Sequence, residues 1–391
     1  MVEAADRYAV YDVARSNGHT VSEVLAVQKF SLNRLIDVEK INYHLSRVKT
    51  DELVIMTRNL GSMLRAGLPL SRALSVIERQ SKNPRMQGTI VSIRAQINKG
   101  DQLHEALARF PKIFSSLYIS MVRAGEEGGT LAESLTTIGV QLERSSNLQK
   151  KIKGAMMYPT IILSVMLLIG ILMMIYVMPT LISTFEKLGT DLPTMTKVMI
   201  GTSKFLTQNG LLSLSVAIVS IASIVGLFRT TRGRRVWHWI LIHLPIIGNL
   251  VKETNAARTG RTLSSLLTSG VDVINAISIT EDVLQNVYYK AILKEAAVRV
   301  EKGSPLSEVF IAHEKLYPVL VGEMILVGEE TGQISQMLTE IADFYENEVE
   351  QKTKDLSTII EPILMVVIGA GVGFFALAMI APIYSLSDSI G

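Results

Sequence analysis

Two acidic pairs, each set between glycines, are the side chains in this sequence best placed to bind a partner. Glu126 and Glu127 lie in the segment GEEGG, and Glu329 and Glu330 lie in GEETG. Both pairs fall just before a predicted helix, where negative charge is favoured by about 0.3–1 kcal/mol per exposed group. One hypothesis is that the acids stabilise the helix start. The other is that they contact a basic partner or another protomer, and the presence of both acids in both segments favours it.

The glycines of these segments predict a tight turn. Gly125 and Gly328 stand where the preceding helix is expected to end, and a left-handed residue at that point is most easily a glycine. Gly129 and Gly332 close the two segments. The eight residues Gly125, Glu126, Glu127, Gly129, Gly328, Glu329, Glu330 and Gly332 are therefore predicted to form either a structural turn or a partner contact.

Motifs for catalysis and cofactor binding are missing from the sequence. The chain has no cysteine, and it contains no G-x-x-x-x-G-K-[ST] loop, H-E-x-x-H or G-x-S-x-G segment. Its six histidines have no metal-ligand spacing. We therefore predict a protein that is not an enzyme, with no catalytic residue, no metal and no cofactor.

The glycine turns belong to an internal repeat with an offset of 203 residues, because Gly125 maps onto Gly328. The same offset relates further matching pairs, namely Gly67 and Gly270, Lys99-Gly100 and Lys302-Gly303, Leu103 and Leu306, Lys151 and Lys354, Pro159 and Pro362, and Pro179 and Pro382. One structural unit is thus used twice.

Each copy is predicted to be a compact bundle of six short helices. The apolar spacing is helical, and Gly and Pro separate the segments. The bundles cover 51–158 and 254–361. In the first copy, Thr130 and Glu133 have the spacing of a capping box at the start of the sixth helix.

Three uncharged apolar segments predict transmembrane helices, at 159–179, 211–228 and 362–382. They contain no Asp, Glu, Lys, Arg or His, which argues against an ion-coupled transporter. The remaining segments are an amino-terminal extension, a loop, a basic interfacial segment and a short tail, at 1–50, 180–210, 229–253 and 383–391. The extension is predicted to hold a short strand and two helices and has no assigned function. The interfacial segment abuts a span, so we predict that it lies on the membrane and does not bind nucleic acid.

The placement of Lys and Arg predicts the orientation in the membrane. The cations near the cytoplasmic ends of the spans are Arg144, Lys150, Lys151, Lys153, Arg229, Arg232, Arg234, Arg235, Lys352 and Lys354. The opposite side carries Lys187, Lys197 and Lys204. We therefore expect a cytoplasmic amino terminus, with the loop at 180–210 and the carboxyl terminus on the opposite side of the membrane.

Two prolines and two glycines have predicted roles in the spans. Pro159 and Pro362 are expected to bend the chain where it enters the bilayer, because a proline removes a helix hydrogen bond. Gly369 and Gly373 have the G-x-x-x-G spacing that lets helices approach closely, within or between protomers.

The combination of two helical copies, three spans and these motifs resembles the inner-membrane platform proteins of type IV pilus and type II secretion machines, the PilC/GspF family. The motifs are the two G-E-x-x-G turns, KIKGAMMYP ending at Pro159, and Glu361-Pro362. The resemblance covers residues 51–388 and implies a scaffold in the cytoplasmic (inner) membrane, so that the loop at 180–210 and the carboxyl terminus would be periplasmic.

The resemblance also implies partners. They are a cytoplasmic hexameric assembly ATPase, pilin or pseudopilin subunits, other inner-membrane assembly components and further copies of the chain. We predict a platform for type IV pilus assembly. A type II secretion platform is the alternative, and a membrane permease or channel is a more distant one.

Overall fold

The computed structural model describes Ser16, Gly18 and residues 46–180, 194–245 and 247–390. The predictions for 1–15, 17, 19–45 and 181–193 concern residues outside these ranges. Within them the chain is helical and contains no strand. Among the described residues, three helices are long and apolar enough to cross a membrane: Leu131–Thr180, Gly210–Arg229 and Ile334–Leu377. The prediction of an all-α membrane protein is confirmed.

The first copy contains the six expected helices. They are α1 (Thr50–Arg65), α2 (Leu70–Gln80), α3 (Pro84–Ile97), α4 (Leu103–Ala108), α5 (Ser116–Glu127) and α6 (Leu131–Leu172). Asn83 and Ser115 cap α3 and α5 by accepting hydrogen bonds from backbone N–H groups. Thr130 makes no such bond at the start of α6, so the predicted capping box is wrong.

Between the copies lie α7 (Thr194–Gln208), α8 (Gly210–Arg229) and α9 (Thr231–His243). Helix α7 occupies part of the segment predicted as a loop. The first span passes through a π-helical turn at Met173–Val177, a geometry that disturbs the regular pairing of backbone carbonyls. Ser203 of α7 donates a hydrogen bond of 2.7 Å to the carbonyl of Met174. This bond holds α7 against the first span.

The second copy repeats the helices of the first. They are α10 (Ile247–Thr268), α11 (Val273–Val283), α12 (Val287–Glu301), α13 (Leu306–Ala312), α14 (Val319–Thr331) and α15 (Ile334–Ile390). Positive φ values recur at the repeat offset: 84° and 86° at Gly67 and Gly270, and 99° and 87° at Gly100 and Gly303. The turns between helices are thus the same in both copies.

A tyrosine–threonine hydrogen bond lies in the core of each bundle. The hydroxyls of Tyr118 and Thr57 are 3.0 Å apart, and those of Tyr317 and Thr259 are 2.9 Å apart. All four residues are buried, and burial raises the pKa of both tyrosine hydroxyls. Each bond gives a buried tyrosine hydroxyl a partner, and the Thr57 hydroxyl also donates a hydrogen bond of 2.7 Å to the carbonyl of Leu53. Tyr118 and Tyr317 are not related by the offset of 203. The two cores therefore contain the same kind of hydrogen bond at different positions of the repeat.

Candidate partner-binding site: the glycine turns and the contact between the copies

The glycine turns begin one helical turn later than the sequence predicts. Helix α5 runs to Glu127, which places Gly125 inside the helix, and Gly328 lies inside α14. The left-handed residues are Gly129 and Gly332, with φ of 69° and 71°. The prediction of a left-handed Gly125 and Gly328 is therefore wrong.

Gly125 and Gly328 are instead sites of close helix packing. A Cβ at Gly125 would lie 2.4 Å from the Ser134 Oγ, and one at Gly328 would lie 2.9 Å from the Ile334 Cα. Real Cβ atoms do not approach other atoms so closely. Glycine at these positions lets the fifth helix of each bundle rest directly on the sixth.

The first acid of each pair closes the start of the short fourth helix. The Glu126 carboxylate accepts hydrogen bonds from the backbone N–H groups of Leu103 at 2.6 Å and His104 at 2.9 Å. Glu329 does the same for Leu306 at 2.5 Å and Ser307 at 3.2 Å. A helix start has free N–H groups and favours negative charge. The first acids thus stabilise the start of the fourth helix of each copy. The hypothesis from the sequence placed this effect at the start of the sixth helix.

A side chain completes each of these caps. The His104 Nδ1 lies 2.8 Å from the Glu126 carboxylate, and the Ser307 hydroxyl donates to Glu329. His104 is buried. Both first acids therefore have a structural role inside their own bundle.

The second acid of each pair is exposed. Glu127 lines a cleft of about 750 Å³ between the copies, together with Arg123 of α5 and Asp272 at the start of α11. Glu330 is exposed on α14. The hypothesis of a partner contact applies to Glu127 and Glu330, and it stays a prediction.

A network of ion pairs joins the two bundles and was missed in the sequence. In the first copy Arg58 pairs with Glu143 at 2.7 Å, and in the second Arg261 pairs with Glu346 at 2.9 Å. Arg58 corresponds to Arg261 and Glu143 to Glu346 at the offset of 203, so the same ion pair occurs once in each copy. This correspondence is the signal in the sequence by which the pair could have been found. Only the pair of the second copy also contacts the other bundle, through Arg144.

Arg144 of α6 reaches the second copy at Asp343 and at Glu346, the latter 3.4 Å away. Further along the same helix, Lys151 pairs with Glu350, which also pairs with Lys354 at 3.3 Å. Burial raises the pKa of Asp343, but Arg261 and Arg144 outweigh it and hold that pKa below its usual value. Hydrogen bonds from Lys151 and Lys354 lower the pKa of Glu350. The network therefore favours ionised carboxylates.

These shifts predict that acid loosens the contact between the bundles. A carboxyl whose pKa is lower in the folded state stabilises the fold above its unfolded value and loses that effect as pH falls through the folded value. The ordinary values are 3.8 for Asp343 and 4.5 for Glu350. We expect a narrow distance distribution between spin labels on Val91→Cys and Val298→Cys above pH 4.5, and a broad one well below pH 3.8.

The chain has no native cysteine to interfere with this labelling. The variant Arg144→Gln with Lys151→Gln is expected to broaden the distribution already at neutral pH. A distribution that stays narrow in acid, while the helices remain folded, would contradict the prediction.

Helix α9 carries the predicted basic interfacial segment. Thr230 caps it by accepting a hydrogen bond from Gly233 N–H at 3.0 Å. One side rests on the second bundle, where the His238 Nδ1 accepts a hydrogen bond from Val287 N–H at 3.2 Å and Ile242 is buried. Burial and the nearby Arg234 lower the pKa of His238.

The other side of α9 is exposed and mixes cations with indoles. Trp237 and Trp239 are both exposed. Arg229, Arg232, Arg234 and Arg235 form no ion pair with any residue that the structure describes. The segment thus presents four uncompensated positive charges directly beside the second span.

The structure extends the predictions for the spans. Helix α6 continues through Pro159, and α15 continues through Pro362. The predicted bends there remain predictions. The spans touch at Gly371, where a Cβ would lie 2.8 Å from the Met166 methyl group. Among the residues that the structure describes, nothing beyond their own helix lies within 4 Å of a Cβ at Gly369 or Gly373, and their helix packing stays a prediction.

No cluster of three or more His, Asp or Glu side chains has the geometry of a metal site among the residues that the structure describes.

Comparison with known proteins identifies relatives of the whole repeat. Residues 56–179 and 261–382 each match the family described as type II secretion system (T2SS), protein F. The type IV pilus assembly protein PilC of Thermus thermophilus is 34% identical over 339 residues, which cover 87% of this chain and 83% of that protein.

Two further relatives are named for the two kinds of machine, the type IV pilus and the type II secretion system. PilC of Myxococcus xanthus is 31% identical over 344 residues, covering 88% of this chain and 82% of that protein. The type II secretion system protein F of Pseudomonas aeruginosa is 32% identical over 340 residues, covering 87% and 84%. The two matches end 203 residues apart, which is the offset of the internal repeat. The chain belongs to the family of type II secretion system protein F.

Proposed function

We propose that this protein is an inner-membrane platform that couples a cytoplasmic assembly ATPase to the assembly of a type IV pilus. The observation that carries the proposal is the joining of two similar bundles by an ion-pair network directly above their spans. Such an arrangement can pass a movement of the bundles into the membrane without any catalytic group. The pilus names of relatives from Thermus and Myxococcus support the choice of machine.

The proposed partners are a hexameric ATPase on the cytoplasmic side, pilin or pseudopilin subunits and other components in the membrane, and further copies of this chain. The exposed Glu127 and Glu330 are the proposed contacts for the ATPase or another protomer. An apolar groove of about 390 Å³ between the first and third spans, lined by Val165, Met166 and Phe375, is a surface for apolar segments.

The proposed function is tested by isolating the tagged full-length protein from membranes and identifying what accompanies it. We expect the assembly ATPase and a pilin. Pseudopilins and secretion components in their place would favour the alternative, a type II secretion platform, whose name several relatives carry. Solute uptake by vesicles that hold this protein alone would instead support a permease or channel.

The proposed orientation has a direct test. The Lys and Arg distribution favours a cytoplasmic amino terminus and second bundle, because cations near span ends stay inside. Reporter fusions after residues 150, 300 and 391 are expected to be inside, inside and outside. A cytoplasmic reporter after 391 would overturn this orientation.

We also propose that α9 lies on the membrane surface. Cations favour anionic headgroups, and indoles favour the interface between lipid and water. Trp237 and Trp239 are the only two tryptophans of the chain, so intrinsic fluorescence reports on this helix alone. Brominated lipids in nanodiscs are expected to quench it. Fluorescence that brominated lipids leave unchanged would exclude a position at the membrane.

A further inference from the structure

The two bundles of one chain meet through different faces. The first bundle uses one side of α5 and α6, with Leu117, Gln141 and Arg144, and the second uses a side of α10, α11 and α15. One bond across this contact joins the Ser265 hydroxyl to the Gln141 side-chain oxygen at 3.2 Å. Because the copies share one fold, each also possesses the face that its sister uses. Both of these remaining faces are open, in the sense that no other part of the chain that the structure describes covers them.

The open face of the second bundle exposes apolar side chains. The equivalent positions of the first bundle are covered by the contact between the copies. Leu117 is 7% exposed, but its equivalent Leu320 is 40% exposed. Gln141 is 6% exposed, and its equivalent is Phe344, which is 47% exposed. An exposed phenylalanine and leucine on one cytoplasmic face indicate a surface that another protein covers.

The open face of the first bundle has the matching properties. Ile55 and Val140 are exposed there, where the second copy has Arg258 and Asp343. The Arg58–Glu143 pair has side chains 55% and 43% exposed, whereas the equivalent Arg261–Glu346 pair is 10% and 19% exposed because the first bundle covers it. The open face of the first bundle thus carries the same ion pair as the face of the second bundle that is used in the contact, but no bundle covers it.

The charges of the two open faces are complementary. Glu323 and Glu330 lie on the open face of the second bundle, at the equivalents of Ser120 and Glu127. Arg65 and Arg72 lie on the open face of the first bundle, at the equivalents of Thr268 and Asn275. All four are exposed and none forms an ion pair with a residue that the structure describes. Opposite charges across a contact favour the correct partner and orientation.

The membrane permits this contact to be repeated. Helices α6 and α15 run in the same direction, since they touch both at Arg144–Asp343 in the bundles and at Met166–Gly371 in the spans. The operation that relates the two copies therefore keeps their spans parallel. Applying it again places a third bundle with its span in the same orientation in the bilayer.

We propose that a second copy of this chain binds head to tail, with the open face of its first bundle on the open face of the second bundle. The contact repeats the one inside the chain, with Phe344 opposite Ser62 as Gln141 is opposite Ser265. It is a heterologous contact, which closes into a ring when the rotation allows. The proposal deepens the proposed function, on which it rests, by naming the surface for self-association.

The test uses single cysteines in the full-length, otherwise cysteine-free chain. Ser62→Cys carries one tag, Phe344→Cys carries another, and the two chains are produced together and oxidised in membranes. We expect a disulfide-linked dimer with both tags, and none from either chain alone. In one chain, Gln141→Cys with Ser265→Cys is expected to give the internal disulfide, which shows that the shared geometry permits the bond.

The matched control pairs Phe344→Cys with Val91→Cys, an exposed residue of α3 outside the open face, and no disulfide is expected. Formation of the internal disulfide without the Ser62–Phe344 one would overturn the proposal. A disulfide between two Phe344→Cys chains alone would show a symmetric contact and overturn it as well. Protection of Phe344→Cys from alkylation only when the ATPase is present would assign the face to the ATPase. If the proposed platform function were wrong, the ATPase would be missing from the purified complex. That result is independent of whether the Ser62–Phe344 disulfide forms.

Discussion

Replacing Glu126 with alanine is expected to unfold the start of α4 and to destabilise the first bundle by about 1–3 kcal/mol, the cost of leaving buried donors without a partner. The carboxylate accepts bonds from two backbone N–H groups and from the buried His104. Alanine removes every one of these acceptors. Water has little access to replace them, because Leu103 and His104 are buried. Glu329→Ala is expected to act in the same way on α13.

Hydrogen exchange of the full-length protein in nanodiscs measures this effect at the helix itself. A loss of 1.4 kcal/mol corresponds to about a tenfold increase in the opening equilibrium. We therefore expect amides at the start of α4 to exchange about ten times faster or more in Glu126→Ala.

The neighbouring glutamate provides the matched control. Glu127→Ala changes an exposed side chain, and such substitutions usually change the free energy of unfolding by no more than about 0.5 kcal/mol. Equal exchange in the wild type and Glu126→Ala would show that the cap contributes nothing. Loss of fibre assembly in Glu127→Gln with Glu330→Gln, at normal exchange, would support the contact hypothesis for the second acids.

The sequence contains enough information to predict the helices, the repeat and the spans. Helical apolar spacing is local, and the predicted separation of helices by glycine is seen at Gly67 and Gly270, both of which have a positive φ. Apolar length predicts the spans, because nothing within a soluble fold requires so many uncharged residues in succession. These features depend on residues near one another in the chain.

The direction of the acidic side chains could not be predicted in the same way. A glycine before two acids is compatible with a helix end at Gly125 or with a helix that continues to Glu127. The structure decides for the second because Gly125 must pack against Ser134 on another helix. The carboxylate of Glu126 then faces α4, which lies about 23 residues earlier in the sequence. Such contacts depend on the tertiary arrangement.

The contact between the copies was hidden for a related reason. Arg58 and Arg261 occupy the same position in the two repeats, yet one is exposed and the other is covered. A repeat in the sequence predicts two similar folds and does not state how they meet. The faces follow only when both copies are seen together, with Arg144 between Asp343 and Glu346.

Gly125→Ala is expected to destabilise the first bundle, although alanine is the better helix former by about 1 kcal/mol. The added Cβ would lie 2.6 Å from the Ser134 Cβ and 3.2 Å from the Leu131 Cα, so rotation of the serine hydroxyl does not relieve the overlap. Helices α5 and α6 must separate, and overpacking of this kind costs about 1–3 kcal/mol. Gly328→Ala meets the backbone at Ile334 and is expected to behave alike.

Gly154→Ala is the control for helix propensity, because Gly154 lies inside α6 and no described residue beyond its own helix comes within 4 Å of an added Cβ. It is expected to raise the thermal unfolding midpoint of the full-length protein in nanodiscs, while Gly125→Ala lowers it. Ser134→Gly removes the serine Cβ and Oγ, which are the two side-chain atoms nearest to the new methyl group, and leaves the Leu131 Cα in place. The double variant Gly125→Ala with Ser134→Gly is therefore expected to recover part of the loss, as residues in direct contact couple. If the two substitutions lowered the midpoint additively, close packing of α5 on α6 would not be the reason for the glycine.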